Sequence, residues 1–137
     1  MFIEVENIRK SYGRKTTVLN SASFHAASGE YIAIVGANGC GKSTLLEILA
    51  GSLKADGGSL KIDGIDAFAD ALVFQKYIGF VPQENPLMEK LSVRDNLKFW
   101  YCDTGRNMEA DLQGGVPAVL GVSGYLDKRV DKLSGGM

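Results

Sequence analysis

An α/β core carrying a small antiparallel β layer, followed by a helical subdomain, is the fold class this sequence predicts. Three observations predict it. Residues 31–50, YIAIVGANGCGKSTLLEILA, pass from an apolar stretch through a glycine-rich loop into a second apolar stretch at helical spacing. Segments 2–6 and 59–64 alternate apolar with polar residues, as half-exposed antiparallel strands do. Past residue 84 that alternation gives way to apolar residues three and four apart. Residues 1–83 are therefore expected to form the core with its β layer, and 84–137 the helical subdomain.

The elements follow in order. Ile3 and Val5 share one parity and Glu4 and Glu6 the other, a half-exposed strand. Val18 to Ala26 is a second strand candidate, and Ser28-Gly29 a turn behind it. Tyr12 lies between the two, in the loop Lys10-Ser11-Tyr12-Gly13. An aromatic ring there either covers the edge of the core or stacks on a nucleobase, since stacking tolerates any base. Tyr31 to Val35 is expected to be a strand buried on both faces, as in a parallel sheet. Leu45, Leu46, Ile48, Leu49 and Ala50 continue as a helix, which Gly51 ends as a C-cap.

Asp56-Gly57-Gly58 is a turn, and Ser59 to Gly64 an alternating strand closed by a tight Asp-Gly turn. Ala67 to Lys76 has the makings of a short helix. Tyr77 to Val81 is a second apolar strand candidate, ended by Pro82, which lacks a ladder donor. Gln83 then sits just past a strand end, where ligands of open α/β sheets gather. Ser92-Val93-Arg94-Asp95 resembles a capping box, with Asp in place of Glu or Gln. Val93, Leu97, Trp100 and Tyr101 form a helical stripe expected to pack between helices. Val116, Val119 and Leu120 suggest another helix, entered through Pro117.

The chemistry lies in Gly36-Ala37-Asn38-Gly39-Cys40-Gly41-Lys42-Ser43, which matches the phosphate-binding pattern G-x-x-x-x-G-K-[ST]. Glycines let successive N–H groups turn inward around a polyphosphate. The new helix adds unsatisfied N–H groups and the positive end of its dipole. Lys42 brings a full positive charge to the outer phosphates, and the Ser43 hydroxyl is placed to ligate Mg²⁺. A plain glycine-rich turn lacks this lysine–serine pair at the head of an apolar helix. Cys40, inside the loop, is either a small residue tolerated at a tight turn or a thiol activated by the anion site around it.

Composition bounds the rest. The 137 residues carry 15 Lys+Arg against 16 Asp+Glu, so there is no basic field to attract nucleic acid or anionic lipid. Two cysteines, Cys40 and Cys102, make no disulfide framework, and no metal-ligand spacing is present. The start, MFIEVENIRK, lacks the apolar core of a secretory signal, and no apolar run approaches membrane-spanning length. A reduced, cytoplasmic protein is expected. His25 has no visible catalytic partner and is expected to face solvent or pack in a strand.

Leu133-Ser134-Gly135-Gly136-Met137, behind a phosphate loop and Val81-Pro82-Gln83, resembles the ATP-binding cassette (ABC) family along the whole chain. The resemblance implies a P-loop NTPase core. In it Tyr12 matches the adenine-stacking aromatic. Gly36, Asn38, Gly39, Cys40, Gly41, Lys42, Ser43 and Thr44 match the phosphate loop. Gln83 matches the Q-loop glutamine, and Ser134, Gly135 and Gly136 match the signature. It further implies ATP and Mg²⁺ as cofactors, with Ser43 and Gln83 at the metal and Lys42 and Gln83 as catalytic positions.

As partners the resemblance implies a second cassette, docked head to tail so that the signature meets the other subunit's ATP. It also implies a transmembrane permease subunit, contacted through the Gln83 loop at the cytoplasmic face of the membrane. The family continues into a strand bearing a Mg²⁺-binding Asp and a catalytic Glu, and on to a switch His. None of these has a counterpart here; Asp103, Glu109 and Asp111 lie in polar surroundings. The core is therefore expected to be incomplete, an N-terminal fragment that binds ATP without hydrolysing it.

Two functions compete. One is the ATPase subunit of a transporter, exporter-like in its Gln83-Glu84 pair and the helix over Leu91 to Tyr101. The other is a non-transport cassette acting on ribosomes or DNA. Only 91 residues separate Lys42 from Ser134, too few for a long coiled-coil insertion. The charge balance gives no nucleic-acid footprint, so no nucleic-acid partner is expected.

Overall fold

The computed structural model describes residues 1–13, 16–84, 86–102 and 104–134. The chain divides into two compact units, Met1–Val81 and Pro82–Met137.

The first unit is built on an antiparallel sheet of order β2-β1-β3-β4. β1 spans Phe2–Tyr12 and β2 Thr16–Ala27; β3 spans Gly57–Ile62 and β4 Ile65–Asp66. The alternation of residues 2–6 does what it predicts, and the strand runs on beyond it. Val5 and Ile8 are buried while Glu6 faces out. β1 is irregular where it bends: its pairing with β2 shifts register between Val5 and Ile8, again at Arg9, and between Lys10 and Ser11. Asp63 and Gly64 turn β3 into β4, and the Asp63 carboxylate accepts the Phe2 N–H at 2.6 Å. Tyr12 is thus the last residue of a strand rather than a loop residue.

Helix α1, Lys42–Leu49, lays Leu45 and Ile48 on that sheet, where they join Val5, Ile8, Leu19, Leu60 and Ile62 in one core. Its end follows the left-handed capping rule. Gly51, at φ 75°, donates to the Ile48 carbonyl, and Ser52 donates to that of Glu47, both at 3.0 Å. Helix α2, Ala71–Tyr77, is capped by the Asp70 carboxylate, which accepts the Leu72 N–H at 2.9 Å. α2 adds Val73 to the core.

Two expected strands are not formed. Residues 31–35 and 78–81 join no ladder, and Tyr31 and Val35 are 103% and 86% exposed. Only Ile34 of the first segment and Ile78 of the second pack against the core. A strand buried on both faces needs a neighbour on each edge and cover on each side. Among the described residues nothing supplies them.

The second unit is helical: α3 Val93–Tyr101, α4 Met108–Gly114, α5 Val116–Val119, and single 3₁₀ turns at Val122–Tyr125 and Val130–Lys132. Ser92 caps α3, accepting the Asp95 N–H at 3.1 Å, while its own hydroxyl donates to the Asp95 carboxylate at 2.6 Å. Asn96 is buried and binds the chain on both sides of that cap. It accepts the Met88 N–H at 2.7 Å and donates to the Met88 and Ser92 carbonyls at 3.1 and 2.9 Å. Trp100 is not core: it is 55% exposed and meets the Phe99 ring edge-on at 6.1 Å. Likewise α5 forms with Pro117 in its first turn, yet Val116, Val119 and Leu120 face out. A helix of one turn has too little surface to bury a stripe.

Candidate functional site

The loop 36–44 grips its own chain tightly. Gly41, at φ 96°, is the N-cap of α1, and a methyl group added there would lie 2.9 Å from Val18 and Leu19 side-chain atoms of β2. Only glycine meets both conditions, so the loop lies flat against β2. The first bond of the helix ladder is Leu45 N–H to Gly41 C=O at 2.9 Å. The N–H groups of Lys42, Ser43 and Thr44 therefore precede the ladder, at the positive end of the helix dipole. Lys42, Ser43 and Thr44, with Val18, Gly39 and Gly41, line an open depression of about 220 Å³.

The Lys42 ammonium folds back over the loop, donating to the Gly36 and Ala37 carbonyls at 2.9 and 2.8 Å. The Cys40 sulfur lies 3.9 Å from it and is exposed. Ser43 and Asn38 are exposed, and Thr44 is half-buried. Donors, one cation and two hydroxyls thus gather at a single concave patch. Such a patch suits a polyphosphate and, through Ser43, a hard cation such as Mg²⁺.

Tyr12 ends β1 opposite Thr16, two residues before the Val18 that lines the depression. At the usual strand rise that is about 7 Å along β2. Tyr12 is 49% exposed, with the Lys10 ammonium 5.8 Å from its ring centre. Asp56 holds this strand end, a role its place in a turn did not disclose. Its carboxylate accepts the Ser11 N–H at 2.8 Å and the Lys10 ammonium at 3.1 Å. The Ser11 N–H first, and Lys10 second, hold the Asp56 carboxyl below its ordinary value of 3.8. A signal for it existed: an acidic residue one position before the strand that pairs with β1.

Gln83 and Ser134 belong to the second unit. Gln83 follows Pro82 in a bend and is exposed; Ser134 is exposed behind the 3₁₀ turn that ends in Lys132. Gly135 and Gly136 lie outside the described residues. No group of three or more His, Cys, Asp or Glu side chains able to hold a metal occurs among the described residues.

A model of the ABC transporter family matches residues 19–137. The chain belongs to the ABC transporter family. It is 39% identical over 99% of its length to the sulfate/thiosulfate import ATP-binding protein CysA 1 of Chromobacterium violaceum. It is 37% identical over 98% to the Nod factor export ATP-binding protein I of Paraburkholderia xenovorans. Over 98% it is 33% identical to the linearmycin resistance ATP-binding protein LnrL of Bacillus subtilis. The ABC chain spans 39%, 45% and 44% of these three proteins.

Among solved structures it matches a nucleotide-free ATP-binding cassette from an ABC transporter. The TM-score is 0.77 at 26% identity, over 98% of this chain and 59% of that one. A solved ATP-binding subunit of an ABC transporter matches at TM-score 0.78 and 21% identity, over 98% of this chain and 56% of that one, a likeness of fold. The α/β class with its antiparallel layer is thus that of ABC cassettes. No helix among the described residues is long and apolar enough to cross a membrane.

Proposed function

We propose that this chain forms the ATP-binding part of a transporter's nucleotide-binding subunit and takes up MgATP at the loop 36–44. The observation that carries the reading is the junction at Gly41. The loop is pressed on β2 there, and the first residues of α1, Lys42, Ser43 and Thr44, line one depression with Gly39 and Gly41. Gly36, Asn38, Gly39, Cys40 and Gly41 would wrap the phosphates, with Thr44 beside them. Lys42 would exchange its two carbonyl partners for phosphate oxygens, which accept more strongly because they are charged. Ser43 would hold Mg²⁺, with Gln83 as a second ligand. When bound, the metal supplies a Lewis acid that neutralises charge on the phosphates. Tyr12 would stack on the adenine.

Ser134, Gly135 and Gly136 would act in trans, on ATP held by a second cassette docked head to tail. The Gln83 loop would meet a transmembrane permease subunit, which places the protein on the cytoplasmic face of the membrane. An exporter-like subunit is proposed on the Gln83-Glu84 pair ahead of α3. These 137 residues are proposed to bind MgATP without turnover. Asp63, at the end of β3, is tied to the Phe2 N–H at 2.6 Å, and Asp111 is engaged by Tyr101 and Arg106, each at 2.8 Å.

Titration calorimetry with MgATP, run beside a phosphate-release assay, tests this. Saturable binding that weakens about tenfold or more in Lys42→Ala, with release at background, is the expected outcome. No binding by the wild-type chain, or phosphate release that depends on Lys42, overturns it.

A further inference from the structure

We infer that Asp56 and Lys10 form a clamp that positions the Tyr12 ring for the nucleobase, so that the turn before β3 helps set affinity for the base-bearing end of the ligand. The inference rests on the reading of Tyr12 as the stacking residue.

The geometry starts from the edges of β1. On one edge β2 pairs with it to the end, but the register shifts by one residue between Lys10 and Ser11. The extra residue, Val18, lies on β2, and such a bulge adds twist to the pair just before Tyr12. On the other edge the partner strand stops early. The last β3 pair is Arg9 with Gly57, so Ser11 and Tyr12 overhang β3 by a full rung. Asp56 fills that rung. Its N–H donates to the Arg9 carbonyl at 2.9 Å, and its carboxylate accepts the Ser11 N–H at 2.8 Å, taking the place of the next backbone carbonyl.

The second carboxylate oxygen accepts from Lys10, which also donates to the Lys54 carbonyl at 2.7 Å. Lys10 is drawn well in, its side chain only 13% exposed. The same ammonium lies 5.8 Å from the Tyr12 ring centre, near the reach of a cation–π contact. Ser11 is further tied to β2 by its hydroxyl, 3.3 Å from that of Thr17. The backbone and side chains leading up to the ring are thus held, while Tyr12 itself stays half exposed. An overhanging strand end frays, and an aromatic on it would lose orientation before stacking. The clamp removes that cost before binding.

The experiment compares MgATP with magnesium tripolyphosphate, which has the phosphates and no base, by calorimetry on the full chain. Tyr12→Ala is expected to weaken MgATP roughly fivefold or more, the lower end for one base–aromatic stack, and to leave tripolyphosphate unchanged. Asp56→Ala is expected to weaken MgATP about threefold or more, again sparing tripolyphosphate, and to add nothing in the Tyr12→Ala background. Asp56→Asn, which still accepts the Ser11 N–H but lacks the charge for Lys10, falls between and guards against misfolding of the alanine variant. Equal loss of both ligands in Asp56→Ala and Asp56→Asn means a structural role and overturns the clamp. So does unchanged MgATP affinity in both, or full additivity with Tyr12→Ala. If Tyr12→Ala itself leaves MgATP binding unchanged, the stacking role fails, and the clamp with it.

Discussion

The two units of this chain are held by different forces. In Met1–Val81 one apolar cluster joins α1 and α2 to the sheet, and its contributors, from Val5 to Val73, are far apart in sequence. Among the described residues of Pro82–Met137 only Leu112, Leu126 and Val130 are buried apolar residues, and the most buried residue there, Asn96, is polar. Polar ties stand in for a core there: Asn96 to the Met88–Ser92 loop, Arg94 to Asp127 at 3.1 Å, and Tyr101 and Arg106 to Asp111. Apolar burial is additive and indifferent to direction. Polar ties are directional, and each one lost leaves its partner unpaired. The first unit should therefore answer to side-chain volume and the second to hydrogen-bond geometry.

Ile48→Ala would break the comparison hardest. Ile48 is fully buried between α1 and the sheet, and its truncation is expected to cost about 2–5 kcal/mol. Amide exchange by mass spectrometry should show β1, β2 and α1 opening sooner while the α3 peptides keep their rate. Equal acceleration in both units would mean that one cooperative core spans them.

Asn96→Ala is the counterpart, expected to cost roughly 1–3 kcal/mol because the Met88 N–H is left without its partner. The only tryptophan, Trp100, lies on α3, so its fluorescence follows this unit in urea. Its midpoint should fall while exchange in the sheet does not change. An unshifted midpoint would show that the buried amide is dispensable.

A smaller effect, about 1 kcal/mol, is expected for Ser92→Ala, which removes the α3 cap. Ser92→Thr should restore most of it, and a variant as stable as wild type would assign the cap no role.

The smallest effects are in pH, and they have opposite signs. Asp56, in the first unit, has its carboxyl lowered by the Ser11 N–H and by Lys10. Its contribution is present above the ordinary 3.8 and is lost as pH falls through the lower folded value. Tyr101, in the second, has its hydroxyl raised above 10.0, first by donating to Asp111. That contribution is present below 10.0 and is lost as pH rises through the higher folded value. Denaturation across both limits should show acid sensitivity that Asp56→Asn removes and alkaline sensitivity that Tyr101→Phe removes. Sensitivity unchanged in either variant would detach it from that residue.

What the sequence by itself determined is local. The parity of Ile3 and Val5, the Asp63-Gly64 turn, the glycine stop after α1 and the Ser92 cap each depend on neighbours within about one turn or strand. Each forms as its pattern implies. The glycine–lysine–serine run likewise contains, in eight consecutive residues, all that makes a helix start an anion site. Tertiary structure decided whatever needs a distant partner. Tyr31 to Val35 is apolar enough for a buried strand, yet a strand exists only when another pairs with it, and here it lies exposed. Trp100 has the spacing of a core residue, but which side of a helix is covered depends on what packs there. Asp56 has the composition of a turn, and only the early end of β3, which leaves a backbone N–H of β1 without its rung, turns it into the residue that holds Tyr12.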